Sequence, residues 1–230
     1  MSTEIPTAKT QRFGTLFSRN LELVVAILLG LVSIATAYAS FQAALYDSTM
    51  AGKYATATTL STQAESLYLE SNQTYIGDVQ LYNSLTDLKI EINSADVEIS
   101  TLAQEKYDSL TFQSVSEELA AAIAEAEQQD LDDPDFYHSP FDTDDYNEYL
   151  YGDYEATDAE SEAARAEGDE ANALSDRLTL YTVLMTISLF LLGIAAVVRQ
   201  VRTQIILSSV AVVIFGISAV LTAMVPAITL

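Results

Sequence analysis

An acidic, tyrosine-rich stretch between residues 130 and 155 carries the side chains best suited to chemistry. It reads DLDDPDFYHSPFDTDDYNEYLYGDYE, and its two prolines and one glycine predict a loop. Carboxylate oxygens are the ligands that a hard cation such as calcium prefers. The spacing lacks the glycine and the closing glutamate of an EF-hand, so a solvated loop whose aromatic rings pack on neighbouring helices is the alternative. The candidate calcium ligands are Asp132, Asp135, Asp142, Asp144 and Asp145.

Other classes of chemistry lack the side chains they need. The chain has no cysteine and a single histidine, His138, so thiolate sites and multi-histidine metal centres are excluded. No nucleophile, base and orienting group can be assembled from the motifs, and no glycine-rich phosphate loop is present. A net charge of -23 would repel nucleic acid. We therefore expect no enzyme activity, no nucleic-acid partner and no cofactor beyond a calcium ion in the loop.

The stretch SIATAYASFQAALYD, residues 33–47, has two interpretations. Ala37-Tyr38-Ala39 before Ser40 has the small-x-small form of a signal-peptidase site, and cleavage there is one hypothesis. No proline or glycine loosens the run near that site, however, and small residues recur in steps of four and three along one helix face. Transmembrane helices associate where small residues let their backbones approach, which favours an intact span. We call these residues the small-residue stripe: Ala26, Gly30, Ser33, Ala37, Ser40 and Ala44.

Three apolar runs reach the length of about 20 residues that crosses a bilayer. They predict spans at residues 21–45, 178–198 and 205–228, with a tail at residues 1–20 and a turn at residues 199–204. Basic residues lie in the tail (Lys9, Arg12 and Arg19) and in the turn (Arg199 and Arg202), while 31 of the 33 acidic residues lie between them, from residue 47 to residue 176. The positive-inside rule then predicts a cell-membrane, multi-pass protein with a cytoplasmic N-terminus and an extracytoplasmic acidic domain and C-terminus.

The acidic domain, residues 46–177, is predicted to be helical. A heptad from Ala43 through Ala57 and Ala64 to Tyr68 indicates that the first span leaves the membrane as one unbroken helix, with a break expected at Gly77. Helices are also expected from residue 114 to 129 and from residue 156 onward, the latter with Ala159, Ala163, Ala166 and Ala173 on one side. A seam of a coiled coil, or an ordinary amphipathic core helix, is predicted at Leu81, Leu85, Leu88, Ile92, Ala95, Ile99 and Leu102. The fold class is all-α: three transmembrane helices with an elongated extracytoplasmic bundle or coiled coil.

A glycosylation sequon, Asn72-Gln73-Thr74, lies on the predicted outside segment. It makes Asn72 a candidate acceptor in an organism that glycosylates secreted asparagines.

The stretch TAYASFQAALYD resembles the first-span signature of an uncharacterised prokaryotic membrane-protein family, in which a T-A-[aromatic]-x-x-[aromatic]-Q-A motif ends the first helix. The stretches SPFDTDDYNEY and ANALSDRLTLYTVLMTISLFLLGIA are similar to that family's Pro-Phe loop and to its Asn-x-x-x-Asp entry into a C-terminal hairpin. The likeness leaves residues 71–130 unmatched, and Arg177 departs from the expected pattern. The resemblance implies an intact first span and the same topology, but no catalytic residue.

Polar residues inside the first span bear on function. Ser33, Thr36, Ser40 and Gln42 are typical of contacts between helices, or alternatively of a pathway lining. No ionisable residue lies between Glu22 and Asp47, which disfavours a proton-coupled transporter. The sequence favours a non-enzymatic structural, scaffolding or accessory subunit that contacts the lipid bilayer and forms a homo-oligomer, or binds another membrane protein. The alternative is an oligomeric channel, or a cation or ligand sensor that uses the acidic loop.

Overall fold

A computed structural model describes the backbone of residues 8–229 and the side chains of residues 21–229. Part of the predicted tail at residues 1–20 therefore lies outside the described residues, including the side chains of Lys9, Arg12 and Arg19. Within the described range the chain is all-α, as predicted, with no strand. The helices are α1 (Ala8–Ile92), α2 (Val97–Ser114), α3 (Glu117–Asp132), α4 (Asp144–Val197) and α5 (Val201–Ala223), with a 3-10 turn at Pro140–Asp142.

Three of these helices are long and apolar enough to cross a membrane: α1 from Leu21 onward, α4 and α5. The chain divides into two compact units. The apolar unit comprises residues up to Tyr54 and from Arg165 on, and the acidic unit comprises residues 55–164. Both α1 and α4 contribute to each unit.

The core of the apolar unit follows a seven-residue repeat. On α1 the buried positions Val25, Val32, Ala39 and Tyr46 are spaced by seven, and the same spacing recurs on α4. Two turns of a helix nearly equal seven residues, so this spacing keeps one stripe of each helix facing its neighbours. The buried α4 residues on this repeat are Ala171, Leu178, Met185 and Leu192, and the buried α5 residues are Gln204, Ser208, Ala211, Ser218 and Thr222.

Serine hydroxyl groups bridge the helices of this unit. Ser188 of α4 donates to the carbonyl of Ala211 on α5 at 2.7 Å. Ser175 of α4 lies 2.7 Å from Asp47 Oδ1 and 3.1 Å from the carbonyl of Ala43 on α1. Small side chains let the backbones approach closely enough for such bonds.

The acidic unit packs α3 and the start of α4 on α1. Its buried cluster is Leu119, Ala122, Tyr146 and Leu150. Ser161 donates to the carbonyl of Ala57 at 2.9 Å, which ties α4 to α1.

Several predicted boundaries were wrong. Helix α1 passes through Gly77 without a break, because one glycine costs a helix only about 1 kcal/mol and no proline is present to interrupt it. The predicted seam is instead interrupted at residues 93–96. There the Asp96 side chain accepts hydrogen bonds from the backbone of Glu98 and Ile99 and starts α2. Ile99 and Leu102, beyond the interruption, are exposed.

The predicted loop at residues 130–155 is shorter in the structure, at residues 133–143. Asp144 and Asp145 lie in the first turn of α4, where carboxylates stabilise the positive end of the helix dipole. The third span was predicted to reach Ile228, but α5 ends at Ala223. Pro226 lacks a backbone N–H and disfavours helical geometry at the residue before it.

Candidate functional site

The segment after α5, residues 224–229, folds back onto α1, and we call it the strap. The side chain of Gln42 makes two hydrogen bonds with the backbone of Ile228. Its Nε2 donates to the carbonyl at 3.2 Å, and its Oε1 accepts from the N–H at 3.0 Å. The Tyr46 hydroxyl donates to the carbonyl of Pro226 at 2.7 Å. One face of α1 therefore holds the backbone of an extended segment at two points.

Apolar contacts accompany these hydrogen bonds. Val225 and Ile228 pack against a buried cluster of α1 and α4 residues: Ala43, Tyr46, Ala171 and Leu178. Gln42 is only 6% exposed, so its amide has little access to water. A buried polar group without a partner costs about 1–3 kcal/mol. The strap thus supplies partners to an amide that would otherwise be unsatisfied.

A second polar contact joins α1 to α4. The Tyr54 hydroxyl donates to Asp169 Oδ1 at 2.6 Å, and this hydrogen bond raises the pKa of Tyr54. The Tyr54 ring leaves no room for a side chain at position 168. A Cβ atom on residue 168 would lie 2.7 Å from two carbons of that ring. Gly168 is therefore required by close packing, and Lys53 and Glu167 form an ion pair beside it.

The small-residue stripe lies outside the buried face of α1. All six of its residues are exposed, whereas the buried face of α1 carries Val25, Val32 and Ala39. A Cβ built on Gly30 meets no atom within 4 Å. The stripe is thus not used for packing within the chain, and its role in contacts with another chain stays a prediction.

The polar residues predicted in the first span have different surroundings. Ser33 and Thr36 each donate to the carbonyl four residues earlier, at 2.7 Å. Gln42 holds the strap. In the side chains that the structure describes, Ser208 Oγ of α5 is the buried side-chain oxygen without a hydrogen-bond partner.

The five predicted calcium ligands are not brought together. Among residues 21–229 no group of three acidic or histidine side chains is arranged to hold a metal ion. Asp132 accepts a hydrogen bond from Gln128 at the end of α3, and Asp144 and Asp145 belong to the first turn of α4. The neighbouring Asp130 accepts from both the backbone N–H and Nδ1 of His138 at 2.7 and 3.0 Å. The backbone hydrogen bond is the main cause that lowers the pKa of Asp130.

The aromatic residues of the loop form a cluster that the sequence indicated only in outline. The Phe141 ring makes edge contacts with Tyr75, Tyr82 and Tyr146 at centroid distances of 5.5–5.6 Å. Tyr146 is 1% exposed and donates to Asp78 Oδ2 at 2.6 Å. Burial, followed by this hydrogen bond, raises the pKa of Tyr146. The cluster fixes the loop to α1, in line with the alternative of a loop packed on its neighbouring helices.

The candidate glycosylation site, Asn72, lies inside α1. Its side-chain amide donates to the carbonyl of Tyr68 at 2.8 Å, and the residue is half-buried. Modification of Asn72 stays a prediction.

Sequence reasoning missed the strap and the packing role of Gly168. Pro226, in the middle of the strap, was the signal that the last helix ends early. The pairing of Gln42 with a backbone 186 positions later has no local signal.

A comparison with known proteins finds no matching family model, no matching curated protein and no matching solved structure.

Proposed function

We propose that the protein is an integral membrane protein with a non-enzymatic structural, scaffolding or accessory-subunit role, and that it self-associates through the small-residue stripe of α1. The exposure of the whole stripe carries the proposal. Three apolar helices support the membrane location.

The argument for self-association comes from the two faces of α1. One face is filled by α4, α5 and the strap through Val25, Val32, Ala39 and Tyr46. The small-residue stripe, outside that face, presents glycine, alanine and serine, whose small side chains let a neighbouring backbone approach, and large exposed side chains such as Ile27, Leu31 and Ile34 lie beside it. A lipid-facing surface gains nothing from such small residues, but a helix-helix contact does. A second copy presents a complementary face because it carries the same stripe.

The test is the mass of the protein in mild detergent, measured by native mass spectrometry. We expect an oligomer for the wild type and a shift toward monomer for Gly30→Leu, with about a tenfold weaker association. Gly216→Leu on α5 is the matched control. Gly216 is also exposed, and a Cβ built there meets no atom within 4 Å. A monomeric wild type, or equal masses for the two variants, would contradict the proposal.

The proposed orientation places the acidic unit outside the cell and the turn between α4 and α5 inside. The chain has no cysteine, so single cysteines can report topology without background. An impermeant maleimide applied to intact cells should label Asp135→Cys. It should label Gln200→Cys only after permeabilisation, and the reverse pattern would refute the orientation.

A further inference from the structure

A groove of about 550 Å³ lies between α1 and α2 in the acidic unit. Three leucines (Leu88, Leu102 and Leu110) and two carboxylates (Asp87 and Glu105) line it. The rest of the lining is Ser84, Ser109 and Lys106.

The helix that forms one wall of this groove is poorly covered. Ala103 is the buried residue that α2 contributes, although the helix has 18 residues. Ile99 and Leu102 are 48% and 53% exposed. Most of the stability of a helix in a protein comes from packing of its apolar face, so α2 has unused packing surface.

The charge of the acidic unit determines which occupant suits the groove. Residues 55–164 contain 26 aspartates and glutamates against two lysines, Lys89 and Lys106. Lys89 is already paired with Glu127. A groove lined by three leucines, two carboxylates and one lysine, within a surface of this sign, is complementary to a helix that is apolar on one face and basic on the other.

We propose that the α1–α2 groove binds a basic amphipathic helix of a partner protein. The apolar face of that helix lies on Leu88, Leu102 and Leu110, and its lysines or arginines pair with Asp87 and Glu105. A second copy of the chain is disfavoured as occupant because its acidic unit would bring the same 26 carboxylates against these. The proposal does not depend on self-association through α1.

The experiment uses the full-length protein in detergent and a fluorescein-labelled 18-residue peptide of leucine and lysine at helical spacing. Fluorescence anisotropy measures its binding, with protein-free micelles subtracted. Two further peptides serve as probes: one with glutamate in place of lysine, and one with the same composition in scrambled order. We expect the basic amphipathic peptide to bind at least tenfold more tightly than either.

Variants locate the binding. Leu102→Asn should weaken it about tenfold, whereas Ile90→Asn, at an exposed position outside the groove lining, should leave it within twofold. Asp87→Asn with Glu105→Gln should weaken it more than Glu155→Gln with Glu160→Gln, which removes the same charge from exposed positions of α4. These exposed acid-to-amide changes preserve the core, so they test the groove even if Leu102→Asn perturbs folding.

Three results would overturn the proposal. Equal weakening of peptide binding by the two double variants would mean that the whole acidic surface attracts the peptide and that the groove does not bind it specifically. Equal binding of the scrambled peptide would mean that no helical face is recognised. A lower oligomer mass for Leu102→Asn would assign the groove to a second copy of this chain.

Discussion

Replacing Gln42 with methionine should release the strap. Methionine has a similar length and keeps the apolar contacts, but it offers no amide to the backbone of Ile228. Each hydrogen bond contributes about 0.5–1.5 kcal/mol, so the loss of two destabilises the docked strap by roughly 1–3 kcal/mol. When the strap undocks, water can satisfy the backbone of Ile228. The destabilisation of the docked strap therefore does not exceed this range.

A cysteine in place of Val225 reports this release, because the natural chain has none and residue 225 packs against the cluster of α1 and α4 residues while the strap is docked. Since 1.4 kcal/mol is a factor of ten, a loss of 2 kcal/mol should raise the maleimide labelling rate at this packed position roughly 30-fold. Gln63→Met on the same helix, at an exposed position, is the control and should leave the rate unchanged. Wild-type labelling in the Gln42→Met background would refute the assignment of Gln42 as the residue that holds the strap.

Two further changes test the packing and the titration of the protein. Gly168→Ala should lower the free energy of unfolding by about 1–2 kcal/mol in denaturant titrations, because the new Cβ displaces the Tyr54 ring, whereas Gly52→Ala, with no atom within 4 Å, should raise it by up to about 1 kcal/mol. The pKa of Tyr146 is raised by burial and by its hydrogen bond to Asp78, so folding favours the protonated hydroxyl. This contribution to stability is fully present below about pH 10, the unfolded-state pKa, and is lost as the pH rises toward the folded-state value. In a Tyr146→Phe variant, the midpoint of denaturant unfolding should fall less steeply above pH 10 than in the wild type. An equally steep fall would contradict this assignment.

The sequence correctly predicted that the first helix continues beyond its apolar run, and it predicted the buried face of that helix in part. Ala43, Ala57 and Ala64 of the predicted heptad are buried, whereas Tyr68 at its end is 46% exposed, and the helix continues without interruption beyond the first apolar run. A periodic apolar pattern identifies a helix face because burial acts on each turn separately.

Periodicity failed to identify the buried face of α4, because alanine recurs on more than one side of that helix. Ala159, Ala163, Ala166 and Ala173 were expected to share the packed side of the helix now labelled α4, but all four are exposed. The buried positions there are Ser161, Ala164, Gly168, Ala171 and Ser175. Serine and glycine are favoured on this face because a hydroxyl can bond to a facing carbonyl and a missing Cβ makes room for a ring. Hydrophobicity alone does not report either property.

The candidate site was predictable only in part. Gln42 was singled out as a polar residue within the first span, but its partner is a backbone group rather than another side chain. Residue type does not encode such a pairing, and α5 must end at Ala223 before the strap can turn back.

The contact between Gln42 and Ile228 also determines when the strap can dock during synthesis of the protein. The two residues are 186 positions apart, so at about 5–20 residues per second the ribosome adds Ile228 roughly 10–40 s after Gln42. During that interval the amide of Gln42 has no strap to bind and must be satisfied by water or by the translocation machinery. Docking of the strap can therefore occur only after α1, α4 and α5 have all been synthesised, which makes it a late step in the folding of the chain.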